Sequence, residues 1–202
     1  MNNFKSFFVV FAVILLSLPA LLSLGIRYLP VNNQPPLGQT RKIYEDQAVR
    51  GGLTMPDDYF NGIGFSFKNP NLINKEEIVM QLSTENGDLV RTVVLSGRSV
   101  PDGGFVRFMF DPIAGSDGAF YVYELFSPSS GEGEALEVLL SKDSDDVALV
   151  AYYKPSSIPS LIANIYASWI ERFFADKTFA VFYLGLIVLG IGYVAFGKKE
   201  TT

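Results

Sequence analysis

The chain has 202 residues, 49% of them hydrophobic, and a formal net charge of −5. Between Arg27 and Ser157 the balance is more acidic, 11 basic against 18 acidic residues, which speaks against binding nucleic-acid phosphates. Cysteine and histidine are absent, which excludes disulfides, thiolate nucleophiles, Cys/His zinc centres and any Ser-His-Asp triad.

Residues 1–6 contain one base, Lys5, and are followed by an uncharged apolar run from Phe7 to Ile26. Twenty helical residues span roughly 30 Å, the thickness of a bilayer core. The run predicts a transmembrane helix over 7–26. Pro19 within it is tolerated, because neighbouring helices can satisfy the freed carbonyl. A cleaved signal peptide is the rival reading, but the run exceeds the usual apolar region and no A-x-A-like site follows it. Prolines and asparagines then mark a linker over 27–38.

Residues 39–157 read as an all-β sandwich of about eight strands. Alternation is plain at Ile63-Phe65-Phe67, at Ile78-Met80-Leu82 and at Val106-Phe108-Phe110. Further strands are expected near Val49–Met55, Leu89–Leu95, Phe120–Phe126, Leu136–Leu140 and Val147–Tyr153. Asn86-Gly87 is a strong hairpin signal. Turn clusters stand at Asn69-Pro70-Asn71, Pro101-Asp102-Gly103-Gly104 and Gly115-Ser116-Asp117-Gly118.

From Ile158 the period changes. Leu161, Ile165, Trp169 and Phe173 recur every four residues, the stripe of an amphipathic helix. Residues 158–177 are expected to form a juxtamembrane helix that lies flat, extends a second span outward or packs on a partner. Trp169, Phe173 and Phe174 are its expected membrane-interface anchors, at the depth of aromatic belts. Residues 178–197 predict the second transmembrane helix, which contains Gly185, Gly190 and Gly192. Lys198 and Lys199 fall in the tail 198–202. With Lys5 they place both termini in the cytoplasm and the central domain outside.

Several residue groups invite a chemical reading. The acidic loop Ser141-Lys142-Asp143-Ser144-Asp145-Asp146 has oxygen ligands of the kind calcium takes, but lacks the glycine and terminal glutamate of an EF-hand loop; an acidic turn is the expected role. Asp57-Asp58-Tyr59-Phe60 sets two carboxylates beside two aromatics, an arrangement that suits sugars and equally an ordinary loop. Tyr121, Tyr123, Tyr152 and Tyr153 fall in strands, where packing is expected. Gly62-x-Gly64 and Gly131-x-Gly133 precede no helix and so make no phosphate cradle. No catalytic, cofactor-binding or metal-binding set is expected.

The order of elements resembles a jelly-roll sandwich of the carbohydrate-binding-module type, as attached to bacterial envelope membrane proteins. Phe60-Asn61-Gly62-Ile63-Gly64, Asn86-Gly87, Phe108-Met109-Phe110-Asp111-Pro112-Ile113, Ser116-Asp117-Gly118-Ala119-Phe120-Tyr121 and Ala151-Tyr152-Tyr153-Lys154-Pro155 carry the resemblance. It implies glycan contact and transfers no binding residue. The expected protein is a non-enzymatic binding or interaction module in a bacterial-type plasma membrane. Its expected partners are the lipid bilayer and a glycan or membrane-protein partner. The alternatives are an accessory subunit of a larger membrane complex and, last, a carboxylate-dependent hydrolase.

Overall fold

The computed structural model describes residues 27–45 and 47–196. The expected first span, 7–26, and the expected cytoplasmic ends, 1–6 and 198–202, lie outside the described residues. Tyr28–Ser156 form one compact unit, and the helices after it belong to another.

Ten strands are present among the described residues: β1 (Leu29–Pro30), β2 (Leu37–Ile43), β3 (Val49–Thr54), β4 (Phe60–Lys68), β5 (Glu77–Thr84), β6 (Leu89–Ser96), β7 (Phe105–Ile113), β8 (Phe120–Phe126), β9 (Leu136–Ser141) and β10 (Leu149–Tyr153). They form two antiparallel sheets. One has the order β1-β10-β4-β9-β2, with β7 on the other edge of β4; the second has the order β3-β8-β5-β6. This is a β-sandwich. Eight of the strands match the alternating runs in the sequence. β1 and β2 do not, and they bring the expected linker into the first sheet.

β4 is the hub. Ile63, Phe65 and Phe67 point into the core and are fully buried. The Phe65 ring lies 5.7 Å from Phe108 of its own sheet and, across the gap between the sheets, 5.5 Å from Tyr123. Tyr121 stands 5.3 Å from Phe60. Tyr121 and Tyr123, on the inward face of β8, are therefore core aromatics, as their strand positions led one to expect. Burial at Tyr123 pushes its hydroxyl pKa up to about 12.

The opposite face of β4 carries Gly62, Gly64 and Ser66, and these are buried too. A Cβ on Gly64 would come within 2.2 Å of the Phe105 ring. Here glycine lets a neighbouring strand's side chain lie flat across the backbone.

At one end of the sandwich a buried amide organises three connections. Nδ2 of Asn69 donates to the carbonyls of Asn74, Gly97 and Val100 at 3.2, 3.1 and 3.1 Å. Its Oδ1 accepts from the Asn74 N–H at 3.0 Å. Asn69 and Asn74 are both fully buried, so these groups have no water to fall back on.

Two helices follow, α1 (Ile158–Ala175) and α2 (Lys177–Phe196). The Ser157 side chain accepts from Ser160 N–H at 3.3 Å and caps α1. Asp176 separates the helices in a non-helical conformation, φ −93° and ψ 90°. Its carboxylate accepts from Phe179 N–H at 3.0 Å, capping α2. α1 is thus not a straight outward extension of α2, and that reading is corrected. Among the described residues no helix is long and apolar enough to cross a membrane; in α2 the described side chains are those of residues 177–185, 188 and 189.

Candidate functional site

Three surfaces combine aromatic and polar groups, and the first lies where the chain enters and leaves the sandwich. β1 pairs antiparallel with β10, Leu29 opposite Tyr153 and Pro30 opposite Tyr152. Val31 N–H continues the pairing to the Ala151 carbonyl at 2.9 Å. Asn32 fastens the segment, donating to Leu149 O at 3.2 Å and accepting from Ala151 N–H at 3.3 Å. The Gln34 side chain donates to Ser66 Oγ. The stretch expected as a linker is thus a hydrogen-bonded part of the sheet.

Beside this edge stands Arg107. It pairs with Gly64 on β4, and its neighbour Phe108 fills the core, so Arg107 projects from the outer face. Its Nη1 donates to the Tyr28 hydroxyl at 3.1 Å. The guanidinium lies 5.7, 5.9 and 5.4 Å from the ring centres of Tyr28, Phe105 and Tyr152. Tyr28 and Tyr152 meet edge to face at 5.4 Å. The Tyr152 and Tyr28 hydroxyls hold the guanidinium pKa above its ordinary value against a smaller desolvation. Among the described residues no carboxylate lies within ion-pair distance of Arg107.

The second surface is the outer face of the β3-β8-β5-β6 sheet. Registers place Arg50, Glu124, Gln81 and Thr92 in one row across it. Arg50 and Glu124 form an ion pair at 2.7 Å. One row away, Phe120 lies over Gly52, where a Cβ would come within 2.3 Å of the ring. The ring is 41% exposed. An aromatic plane beside a row of hydrogen-bonding side chains suits a ligand that has both an apolar face and hydroxyls. The strand glycines opposite an aromatic run were the only sequence signal for this platform.

The third surface is the elbow at Asp176. Trp169 stacks on Phe173 at 5.4 Å, and Phe173 meets Phe174 at 5.2 Å. From α2, Phe179 and Tyr183 come within 5.7 and 5.4 Å of Phe173. In a straight helix residues 173 and 183 would be about 15 Å apart along the axis, so the bend makes this cluster. The structure joins the three expected anchors and adds Phe179 and Tyr183. Trp169 and Phe174 remain 40% and 55% exposed.

The carboxylate candidates are separated in role. Asp58 Oδ1 accepts from the N–H groups of Tyr59, Gly115 and Ser116 at 2.7, 2.6 and 3.0 Å. These bonds, Tyr59's first, lower its pKa, and they tie two loops together. Fully buried Ser116 completes the tie through Phe60 N–H and Asp57 O. Asp57 shifts the other way, raised by desolvation and then by Asp117. Tyr59 between them and the core has φ +61°, a left-handed conformation. The acidic loop closes as a hairpin turn, with Ser141 N–H donating to Asp146 O at 2.8 Å. No group of three metal-ligating side chains occurs among the described residues.

No protein-family model and no curated protein matches the chain. Among solved structures it is similar to a CBM36 carbohydrate-binding module in complex with calcium and xylotriose: 12% identity, TM-score 0.32, 63% of this chain and 99% of that one. It is likewise similar to the module TmCBM61 in complex with β-1,4-galactotriose: 11% identity, TM-score 0.35, 64% and 88%. A third is a GH26-CBM35 β-(1,4)-mannanase of Podospora anserina: 7% identity, TM-score 0.31, 65% and 28%. The candidate surfaces rest on their own geometry.

Proposed function

We propose that this chain is a membrane-tethered, extracytoplasmic β-sandwich module of jelly-roll type that binds a glycan or envelope polymer. The observation that carries it is the pairing of Leu29 with Tyr153. It brings the entering and leaving chain side by side, the arrangement a domain needs when both its ends are rooted in one membrane face. The tethers are the charge-free runs Phe7–Ile26 and Phe179–Phe196, with both termini cytoplasmic by the lysines that flank them. Trp169, Phe173 and Phe174 anchor the elbow at the interface. The ligand face is the outer face of β3-β8-β5-β6, with Phe120 as stacking platform and Gln81, Thr92, Arg50 and Glu124 as polar contacts. No step of catalysis is assigned, since Asp58 is engaged by three backbone donors.

The test is twofold. The full chain should float with lipid vesicles, and a reporter after Thr202 should be cytoplasmic; an external reporter rejects the topology. Residues 28–156, displayed on a glycan array, should bind a sugar class and lose it in Phe120→Ala. Binding unaffected by Phe120→Ala rejects this face. The accessory-subunit reading has one observation in its favour. On α2, Val181 and Phe182 are 73% and 69% exposed, and among the described residues nothing would lie within 4 Å of a Cβ on Gly185, the small-residue opening a partner helix uses. A co-purifying membrane protein that is lost in Gly185→Leu would favour it.

A further inference from the structure

We propose that Arg107, braced by Tyr28 and Tyr152, binds the phosphate of a membrane lipid and docks the sandwich on the headgroup layer at the root of its first tether. The inference rests on the membrane-tether reading above and deepens it.

Three observations carry it. First, Arg107 is exposed and is oriented by groups that leave its donors in part unused. The Tyr28 and Tyr152 hydroxyls engage part of its five N–H groups, three rings flank the guanidinium, and no carboxylate neutralises it among the described residues. An arginine held this way keeps a planar fork free for an oxyanion. Second, the brace is placed by the fold. Tyr28 is fixed because β1 pairs with β10, and Tyr152 belongs to β10 itself. The glycine at 64 lets Phe105 lie flat beneath the guanidinium.

Third, the sequence leaves no slack. Ile26 ends the apolar run, and Tyr28 is the second residue after it. Two extended residues reach at most about 7 Å. The headgroup region on each side of a bilayer is roughly 5–8 Å deep. With the run in the bilayer, Tyr28 stands in or against that layer, and Arg107 is one hydrogen bond from it.

The surrounding domain is acidic, so the lipid is recognised through its phosphate and not through net negative charge. A zwitterionic phospholipid therefore suffices. An anionic surface repels the acidic domain over a Debye length of about 8–10 Å, and should give no gain.

The test uses the full chain, with arginine guanidino carbons labelled with ¹³C, in phosphatidylcholine vesicles. Solid-state NMR reads dephasing of those carbons by lipid ³¹P. A guanidinium signal dephased in the native chain and missing in Arg107→Gln supports the proposal. Arg107→Lys, which keeps the charge and loses the fork, should also lose it, and Tyr28→Phe should weaken it. Thermal melts of each variant confirm that the sandwich is retained. An undephased Arg107 in a chain that floats with the vesicles overturns this proposal and leaves the tether reading standing. A chain that does not float overturns both. In phospholipid-free detergent, a shift of the Arg107 signal on adding inorganic phosphate, with no dephasing in vesicles, assigns the site to a free anion and rejects the lipid.

Discussion

Leu29 lies opposite Tyr153 across β1 and β10, so the strand that opens the sandwich and the strand that closes it are neighbours. Paired residues in an antiparallel ladder lie about 4.5–5.5 Å apart. Both roots of the domain therefore leave from one point on one edge, and the strength of that seam decides how firmly the domain is held.

Asn32 is the seam's fastener. Asn32→Ala removes a donor to Leu149 O and an acceptor for Ala151 N–H, and should cost about 1–2 kcal/mol. Amide exchange at Val31 and Ala151 should accelerate while β5 and β8 stay protected. Unchanged protection at both amides would remove Asn32 from this role.

Asn69 gathers three carbonyls on one amide nitrogen. Asn69→Ala leaves them buried without a donor and should destabilise by about 2–3 kcal/mol. Asn69→Asp should be worse, because a carboxylate would face those carbonyls in a dry site. Gly97→Ala belongs with them, since a Cβ there would meet Asn74 Oδ1 at 2.2 Å and the Asn74 carbonyl oxygen at 2.8 Å. Denaturant midpoints of the three variants check the ranking.

Asp57 and Asp58 should give opposite pH signatures. Backbone hydrogen bonds lower the pKa of Asp58 in the folded state. Its stabilisation is present above the ordinary carboxylate value and is lost as pH falls through the folded value. Asp58→Asn should therefore be less stable than the native chain at neutral pH and approach it in acid. Desolvation and Asp117 raise the pKa of Asp57. Its ionisation costs stability as pH rises from the ordinary value through the raised one. Asp57→Asn should be the more stable protein at neutral pH, with the advantage gone in acid. Melting temperatures across pH 3–7 decide, and equal profiles would refute both assignments.

Gly52 tests the proposed ligand platform while leaving Phe120 in place. Gly52→Ala puts a methyl into the ring of Phe120 and should tilt it off the sheet. The ring sits on an exposed face, so the fold should survive. Ligand binding measured on residues 28–156 should drop as it does in Phe120→Ala. Full affinity in Gly52→Ala would show that the ring's position is immaterial.

Asp176 both ends α1 and caps α2. Asp176→Ala should cost about 1 kcal/mol of cap energy and loosen the packing of Phe173 on Tyr183. Trp169 is the chain's single tryptophan, so its fluorescence reports the elbow without ambiguity. Brominated lipids should quench it in the native chain, and the depth of quenching should change in Asp176→Ala. An unquenched Trp169 would take the elbow away from the interface.

Much of the architecture is legible in the residues. Strands such as β8, whose bounds coincide with the alternating run Phe120–Phe126, announce themselves because one face is buried and the next is not. β2 does not. Between Leu37 and Ile43 its residues are polar or glycine, since it is an edge strand and mostly exposed. β1 is two residues long beside Pro30, too short for any period. The break at Asp176 was hidden by the strong apolar pattern on both sides of it, although aspartate is a common cap. The expected anchors Trp169, Phe173 and Phe174 come from that pattern. Arg107 did not, because its meaning depends on Tyr28 and Tyr152, residues 79 and 45 positions away that only the strand register unites.

The position of β4 has a consequence for how the protein is made. Its partners lie at residues 105–113, 136–141 and 149–153, all later in the chain. Non-local pairings of this kind close slowly. An apolar central strand emerging early from a ribosome or a translocation channel must therefore wait, unpaired, until nearly the whole domain has followed it. During that interval Phe65 and Phe67 are exposed to wrong partners. If the first apolar segment anchors the chain as proposed, it would confine that waiting strand to the membrane surface, away from other unfinished copies in bulk solution.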